Sequence, residues 1–100
     1  HGLANALMID TVLAWNVAAA PAKFEELAHV VGASGGAQGF LGWLRDLKKT
    51  IGIAANLSAV GVKREQVPRL VEIAVADICH QTNPRPVKAD DFQRLFEQAL

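Results

Sequence analysis

Gly2-Leu3-Ala4-Asn5-Ala6-Leu7-Met8-Ile9-Asp10-Thr11-Val12-Leu13-Ala14-Trp15-Asn16-Val17-Ala18-Ala19, residues 2–19, is the stretch that decides the fold. After Gly2 it contains neither glycine nor proline, and it is rich in the strong helix formers Ala and Leu. The alternation of apolar and polar residues that marks a half-buried strand is missing. Its apolar residues, among them Leu3, Leu7, Met8, Ile9, Val12, Leu13 and Trp15, cover more than one face of a helix. A helix apolar nearly all round is normally buried in something larger than a small bundle. This segment therefore predicts an all-α chain with a first helix from about Gly2 to Ala19 that needs more cover than its neighbours supply.

The segments downstream extend the helical reading. Pro21 suits the first position of a second helix, which ends before Gly32 and turns Phe24, Leu27, Ala28 and Val31 inward. Ala33 to Gly36 reads as a loop. A third helix runs from about Gln38 to Thr50, with Phe40, Leu41, Leu44 and Leu47 on one side, and Gly52 stops it. Ile51 to Val62 is irregular, with a short turn near Asn56 to Ala59, and Lys63 to Gln66 forms another turn. Pro68 belongs in the first turn of a fourth helix, since a helix interior would lose about 3 kcal/mol to it; that helix extends to about Ile78. The two prolines of His80 to Val87 make a loop. A fifth helix, from about Ala89 to Ala99, turns Phe92, Leu95 and Phe96 inward. Hairpin turns of the Asn-Gly or Asp-Gly kind are absent, so the expected architecture is a five-helix, bundle-like domain covering residues 1–100.

Composition narrows the possible partners. The 100 residues suit one small domain, and 51% apolar with 20% charged is a globular balance. Ten basic and ten acidic residues cancel, and no basic stripe exists to recognise nucleic acid. Leu3 to Ala20 comes closest to a membrane span, but Asn5, Asp10, Thr11 and Asn16 interrupt it, so no membrane partner is expected. It also lacks the basic start of a signal peptide. Cys79, the single cysteine, cannot form an internal disulfide. A cytoplasmic location follows as the expectation.

The polar residues alone point to little chemistry. There is no His-Glu-x-x-His and no Cys-x-x-Cys, and the glycines of Gly32 to Gly39 follow no strand, so a flexible interhelical loop explains them better than a phosphate cradle. His1 has an amino group and an imidazole that could chelate a metal together, but the only other histidines, His29 and His80, stand at no diagnostic spacing. His29 is expected at a helix surface, and His80 either caps the carbonyls of a helix end or sits at the rim of a site. Cys79 reads as a small buried hydrophobe with no neighbour to make it a nucleophile. Arg85, held extended between two prolines, is expected to pair with a carboxylate such as Asp77.

Taken in order, the motifs resemble the C-terminal domain of the iron-containing alcohol dehydrogenase family. His1-Gly2-Leu3-Ala4-Asn5-Ala6 resembles the family's His-Gly-x-x-Asn-Ala segment, and Trp15-Asn16 its aromatic-Asn pair. Ile51-Gly52-Ile53, Leu57 and Gly61-Val62 resemble its linker, and Asp77-x-Cys79 with Asn83-Pro84-Arg85 resembles its Asp-x-Cys…Asn-Pro-Arg signature. Ala54 and Asp10 depart from the pattern, where proline is usual at the first and proline or a neutral residue is frequent at the second.

The resemblance implies the C-terminal part of a two-domain dehydrogenase whose N-terminal NAD(P)-binding domain is absent from these residues. It implies Fe2+ (or Zn2+) held by one aspartate and three histidines, the last of them His1, and hydride transfer between NAD(P) and an alcohol or aldehyde. It places Cys79 in the substrate pocket as a lining residue and not as a catalyst. The isolated chain is then expected to be inactive, to hold neither metal nor nucleotide tightly, and to self-associate through its uncovered first helix. The alternative is a free-standing helical module that binds a protein partner through that helix.

Overall fold

In the computed structural model, which describes residues 2–100, five α-helices follow one another as α1 (Gly2–Asn16), α2 (Pro21–Val31), α3 (Gly36–Thr50), α4 (Val67–Ala76) and α5 (Ala89–Ala99). Short 3-10 turns at Val17–Ala19, Ser58–Val60, Arg64–Gln66 and Ile78–Thr82 complete the chain, and no strand occurs among the described residues. The all-α reading holds, with α2 and α5 at the expected bounds. His1 lies outside the described residues.

Local chemistry sets these boundaries. Pro21 occupies the first turn of α2, where its missing N–H costs no hydrogen bond. Gly52, with φ of 83°, closes α3: its N–H donates to the Lys49 carbonyl at 3.2 Å and the Ile53 N–H to the Lys48 carbonyl at 2.9 Å. This left-handed closure satisfies carbonyls that a helix end otherwise leaves to water. At the start of α5, Asp91 reaches back so that the Lys88 N–H donates to its carboxylate at 3.0 Å. Asp90 and Asp91 also place negative charge at the positive end of the helix dipole.

Two apolar clusters hold the helices together. Leu7, Leu57 and Ala99 join α1, the irregular segment and α5, with Met8, Ile53 and Phe96 packed around them. The Leu57 N–H donates to the Ala99 carbonyl at 2.8 Å, which ties that irregular segment to the end of α5. Phe24, Ala28 and Phe40 join α2 to α3, with Leu13 and Val17 of the α1 region closing over them. Gly39 sits where α3 passes the Ser34 carbonyl, and a Cβ there would collide with that backbone. Alanine is the better helix former by about 1 kcal/mol, but overpacking against backbone costs about 1–3 kcal/mol. Gly39→Ala is therefore expected to lower the urea midpoint, and a raised midpoint would show that the 33–36 turn can move aside.

Several positions depart from the periodic reading. Leu27 and Leu47 are 41% and 39% exposed. In α3 the buried face continues through Leu41 and Leu44 to Lys48, not Leu47. The spacing i, i+3, i+7 favours position 48, but residue type had favoured the leucine. Lys48 is buried because Asp10 of α1 receives it: its Nζ donates to Asp10 Oδ1 at 2.7 Å and to the Leu7 carbonyl at 3.3 Å. Arg45 Nε adds a longer bond to Asp10 Oδ2 at 3.4 Å. Burial works to raise the Asp10 pKa, but the Lys48 hydrogen bond and charge, helped by Arg45, outweigh it and hold the carboxyl below its ordinary value.

Helix α1 remains under-covered by the rest of the chain. Only Leu7 and Asn16 of it are buried, while Leu3 is 54% exposed. By length and mean hydropathy Gly2–Ala19 reaches the range of a membrane span, which the interrupted sequence did not lead us to expect. Its Asp10 is ion-paired to α3 and its Asn16 is buried against the bundle.

Candidate functional site

Four residues of α1, Asn5, Met8, Val12 and Trp15, recur at helical spacing and line one side of a cleft of about 540 Å³. Phe92, Leu95 and Phe96 of α5 line another side, and the segment from Cys79 to Val87 closes the third. A cleft of this size, mostly apolar with a few polar groups, has the character of a small-molecule site.

The side chains that shape it form one connected unit. Asn16, 4% exposed, and Asn83 exchange amide hydrogen bonds: Asn16 Nδ2 donates to Asn83 Oδ1 at 3.0 Å, and Asn83 Nδ2 donates to Asn16 Oδ1 at 2.7 Å. The Asn83 amide also donates to the Arg85 carbonyl at 2.6 Å, which folds the Asn-Pro-Arg segment back on itself. Arg85 Nη1 donates to the Trp15 carbonyl at 2.8 Å, and its guanidinium lies 3.8 Å from the Trp15 ring centroid. That contact is in the cation–π range. Trp15-Asn16 and Asn83-Pro84-Arg85, read separately in the sequence, are thus the two halves of one clasp. The expected Arg85–Asp77 pair does not form. The carbonyl at the end of α1 and the indole face offer the guanidinium both a hydrogen-bond acceptor and a π surface, and Asp77 is engaged elsewhere.

Asp77 ends α4 and caps the following turn, accepting a hydrogen bond from the Cys79 N–H at 2.9 Å. Those Cys79 hydrogen bonds hold the Asp77 carboxyl below its ordinary range. In return, the hydrogen bond and negative charge of Asp77 push the Cys79 thiol up. Cys79 is exposed, not the buried hydrophobe the sequence suggested, because it lies on a turn that flanks the cleft instead of packing under it. A protonated thiol is a poor nucleophile, so its place in the cleft wall is that of a surface. His80 Nε2 donates to the Val75 carbonyl at 3.2 Å, and its ring meets Phe92 edge-on at 5.5 Å between centroids. It caps the end of α4, as one of its two sequence readings expected, and it also lines the cleft.

His29 is exposed on α2, away from the cleft. Among the described residues no group of three His, Cys, Asp or Glu side chains is placed to hold a metal ion. Those residues therefore do not by themselves fit an iron or zinc centre, and the one ligand the resemblance implied, His1, is outside them. Sequence reasoning missed Lys48 and the clasp. The first had its signal in helical phase; the second had none, because nothing local links residue 16 to residue 83.

A helical domain thus encloses an apolar cleft on three sides, clasped by Trp15-Asn16 and Asn83-Pro84-Arg85. The chain belongs to the Fe-containing alcohol dehydrogenase family, whose C-terminal family model matches residues 1–100. It is 31% identical to lactaldehyde reductase of Escherichia coli K12, with 99% of this chain and 28% of that protein covered. It is 30% identical to 1,3-propanediol dehydrogenase of Klebsiella pneumoniae, with 100% and 28% covered. A solved 1,3-propanediol oxidoreductase superposes with a TM-score of 0.93 at 31% identity, covering 100% of this chain and 28% of that one. An alcohol dehydrogenase from Oenococcus oeni superposes at 0.91 with 25% identity, at the same coverage. The chain thus spans little more than a quarter of the length of the relatives it matches.

Proposed function

We propose that this chain is the helical domain of an NAD(P)-linked, metal-dependent dehydrogenase that interconverts alcohols with aldehydes or ketones. Family membership over all 100 residues carries the reading. Two of the relatives are named for lactaldehyde and 1,3-propanediol, a small aldehyde and a small alcohol. A nucleotide-binding domain preceding these residues supplies the dinucleotide site, and a cytoplasmic location belongs to the same reading.

Iron or zinc, when bound, supplies a Lewis acid for the alcohol oxygen, and the nicotinamide supplies the hydride chemistry. His1 is the residue of this chain assigned to the metal; the other ligands come from outside it. The chain's described residues contribute a surface. Met8, Val12, Phe92 and Phe96 exclude water from the substrate, and the clasp fixes the end of α1 and Trp15 against the Asn83 loop. Cys79 forms part of the substrate wall.

The test compares alcohol-dependent NAD(P)+ reduction by this 100-residue chain and by a full-length enzyme containing it, each supplied with ferrous iron. The chain alone should show no turnover and the full-length enzyme should be active. Robust turnover by the chain alone, or an inactive full-length enzyme, would overturn the reading.

The same reading explains the uncovered apolar residues. Leu3 and Ile9 on α1, and Ile73, Val75 and Ile78 in and after α4, are all more than a third exposed. Apolar surface of this kind seeks cover, so the chain by itself should self-associate. Light scattering that finds a clean monomer at high concentration would count against this.

A further inference from the structure

We infer that Asn5 is a specificity-determining residue of this cleft, where its amide holds a second hydroxyl of the substrate, remote from the carbon that reacts. The inference deepens the reading of the preceding section and rests on it. Asn5, Met8, Val12 and Trp15 line the cleft from α1. At a rise of about 1.5 Å per residue, Asn5 stands about 10 Å along the helix from Val12. This wall is therefore polar near the start of α1, while Met8 and Val12 beyond it present hydrocarbon. Asn5 is exposed, and among the described residues its amide has no hydrogen-bond partner.

The other polar groups of the wall are already committed or offer less. The Asn83 amide nitrogen serves Asn16 and the Arg85 carbonyl, and its oxygen accepts from Asn16. Thr82 Oγ1 donates to the Cys79 carbonyl at 3.2 Å, and His80 Nε2 donates to the Val75 carbonyl. A thiol such as that of Cys79 is a weak donor, and an indole such as that of Trp15 can only donate. Asn5 is thus the lining residue that offers a strong donor and an acceptor together. A hydroxyl likewise donates and accepts, so it replaces the water on this amide in kind. A methyl in its place expels the water and leaves the amide unpaired. That asymmetry is what lets a site built for a hydroxyl reject the analogue lacking it.

The experiment uses the full-length enzyme with metal and NAD(P)+ loaded. The diols 1,3-propanediol, 1,4-butanediol and 1,5-pentanediol are each paired with the alcohol in which methyl replaces the distal hydroxyl: 1-butanol, 1-pentanol and 1-hexanol. In at least one pair kcat/KM should favour the diol by at least about fivefold, the scale of one net hydrogen bond between uncharged groups. Asn5→Leu, close in shape but apolar, should abolish or reverse that ratio, chiefly by raising KM for the diol. Asn5→Asp keeps an acceptor for the hydroxyl in the same place and should retain the diol preference. No diol preferred by the wild-type enzyme, with the simple alcohols still turned over, overturns this inference and leaves the alcohol dehydrogenase reading standing. A ratio unchanged in Asn5→Leu overturns it as well. Equal loss of both substrates in Asn5→Leu, or loss of the ratio in Asn5→Asp too, shows a structural role for Asn5 and overturns the inference. Turnover of neither substrate by the wild-type enzyme overturns the alcohol dehydrogenase reading and this one with it.

Discussion

Asn16→Ala is expected to destabilise the chain by about 2–3 kcal/mol, read as a lower urea midpoint at unchanged slope. Two hydrogen bonds disappear, each with a net value of about 1 kcal/mol. The larger effect comes from what is left behind. Asn83 keeps only its bond to the Arg85 carbonyl, and its Oδ1 loses the donor that satisfied it inside a half-buried site. With no buried side-chain polar atom unsatisfied among the described residues of the native chain, this variant introduces a defect that the fold otherwise avoids. A coupling measurement separates the clasp from simple loss of volume. Asn16→Ala and Asn83→Ala should be non-additive by about 1–2 kcal/mol, because either change removes the same pair of bonds. Additive losses would mean that the two amides do not act together. Against a total stability of about 5–15 kcal/mol for a domain of this size, the expected loss is a large share.

Asp10→Ala is the second substitution with a large expected effect, about 2–3 kcal/mol. Removing one member of a fully buried ion pair costs about 3–5 kcal/mol; the figure here is lower because the Asp10 side chain keeps 16% of its exposure. Lys48, 8% exposed at its side chain, would be left with the Leu7 carbonyl as its partner. Lys48→Met should cost less, about 1 kcal/mol or under, because methionine fills much the same volume and Asp10 retains Arg45 and water. Equal losses in the two variants would show that the pair contributes through packing alone.

The pH dependence has a definite sign. The folded-state pKa of Asp10 lies below the ordinary value of 3.8. Its contribution is therefore complete above that value and is lost as pH falls through the folded-state pKa. The stability gap between wild type and Asp10→Ala should be constant from pH 7 to pH 5 and close below about pH 4. A gap that persists at pH 2 would rule out the ionised carboxylate as its source.

How much of this was legible beforehand follows from the range of each interaction. Helices α2 and α5 were placed correctly because their end signals are local: Pro21 and Gly32 for the one, the two-proline loop before Ala89 for the other. Leu27 and Leu47 were misjudged because residue type marks what can be buried, whereas helical phase and neighbouring elements decide what is. Lys48 shows the converse. A lysine reads as solvent-facing until a carboxylate on another helix receives it, and Asp10 had registered as a break in an apolar segment and a departure from a family pattern, not as an ion-pair partner.

At the site, the two ends of the clasp were visible as motifs, but their union was not. Periodicity is silent about residues 67 positions apart. The Arg85 partner was sought among nearby carboxylates, where a carbonyl and an indole brought in by tertiary packing proved the better match. Cys79 was placed in the substrate wall by resemblance, and the cleft it lines gives that assignment a geometric setting without testing it in catalysis.

The separation between the halves of the clasp also bears on the order of folding. Helices α2 and α3 meet across a four-residue turn, so their contacts need little chain to be gathered in. Uniting Asn16 with Asn83 and Trp15 with Arg85 closes loops of 67 and 70 residues, whose entropy is lost before any bond is gained. The α2–α3 hairpin should therefore be organised at the rate-limiting step, and the clasp should fasten after it. Asn16→Ala would then leave the refolding rate nearly unchanged and hasten unfolding, while Phe24→Ala in the hairpin would slow refolding. On that view the cleft is the last part of this chain to take shape and the first to open.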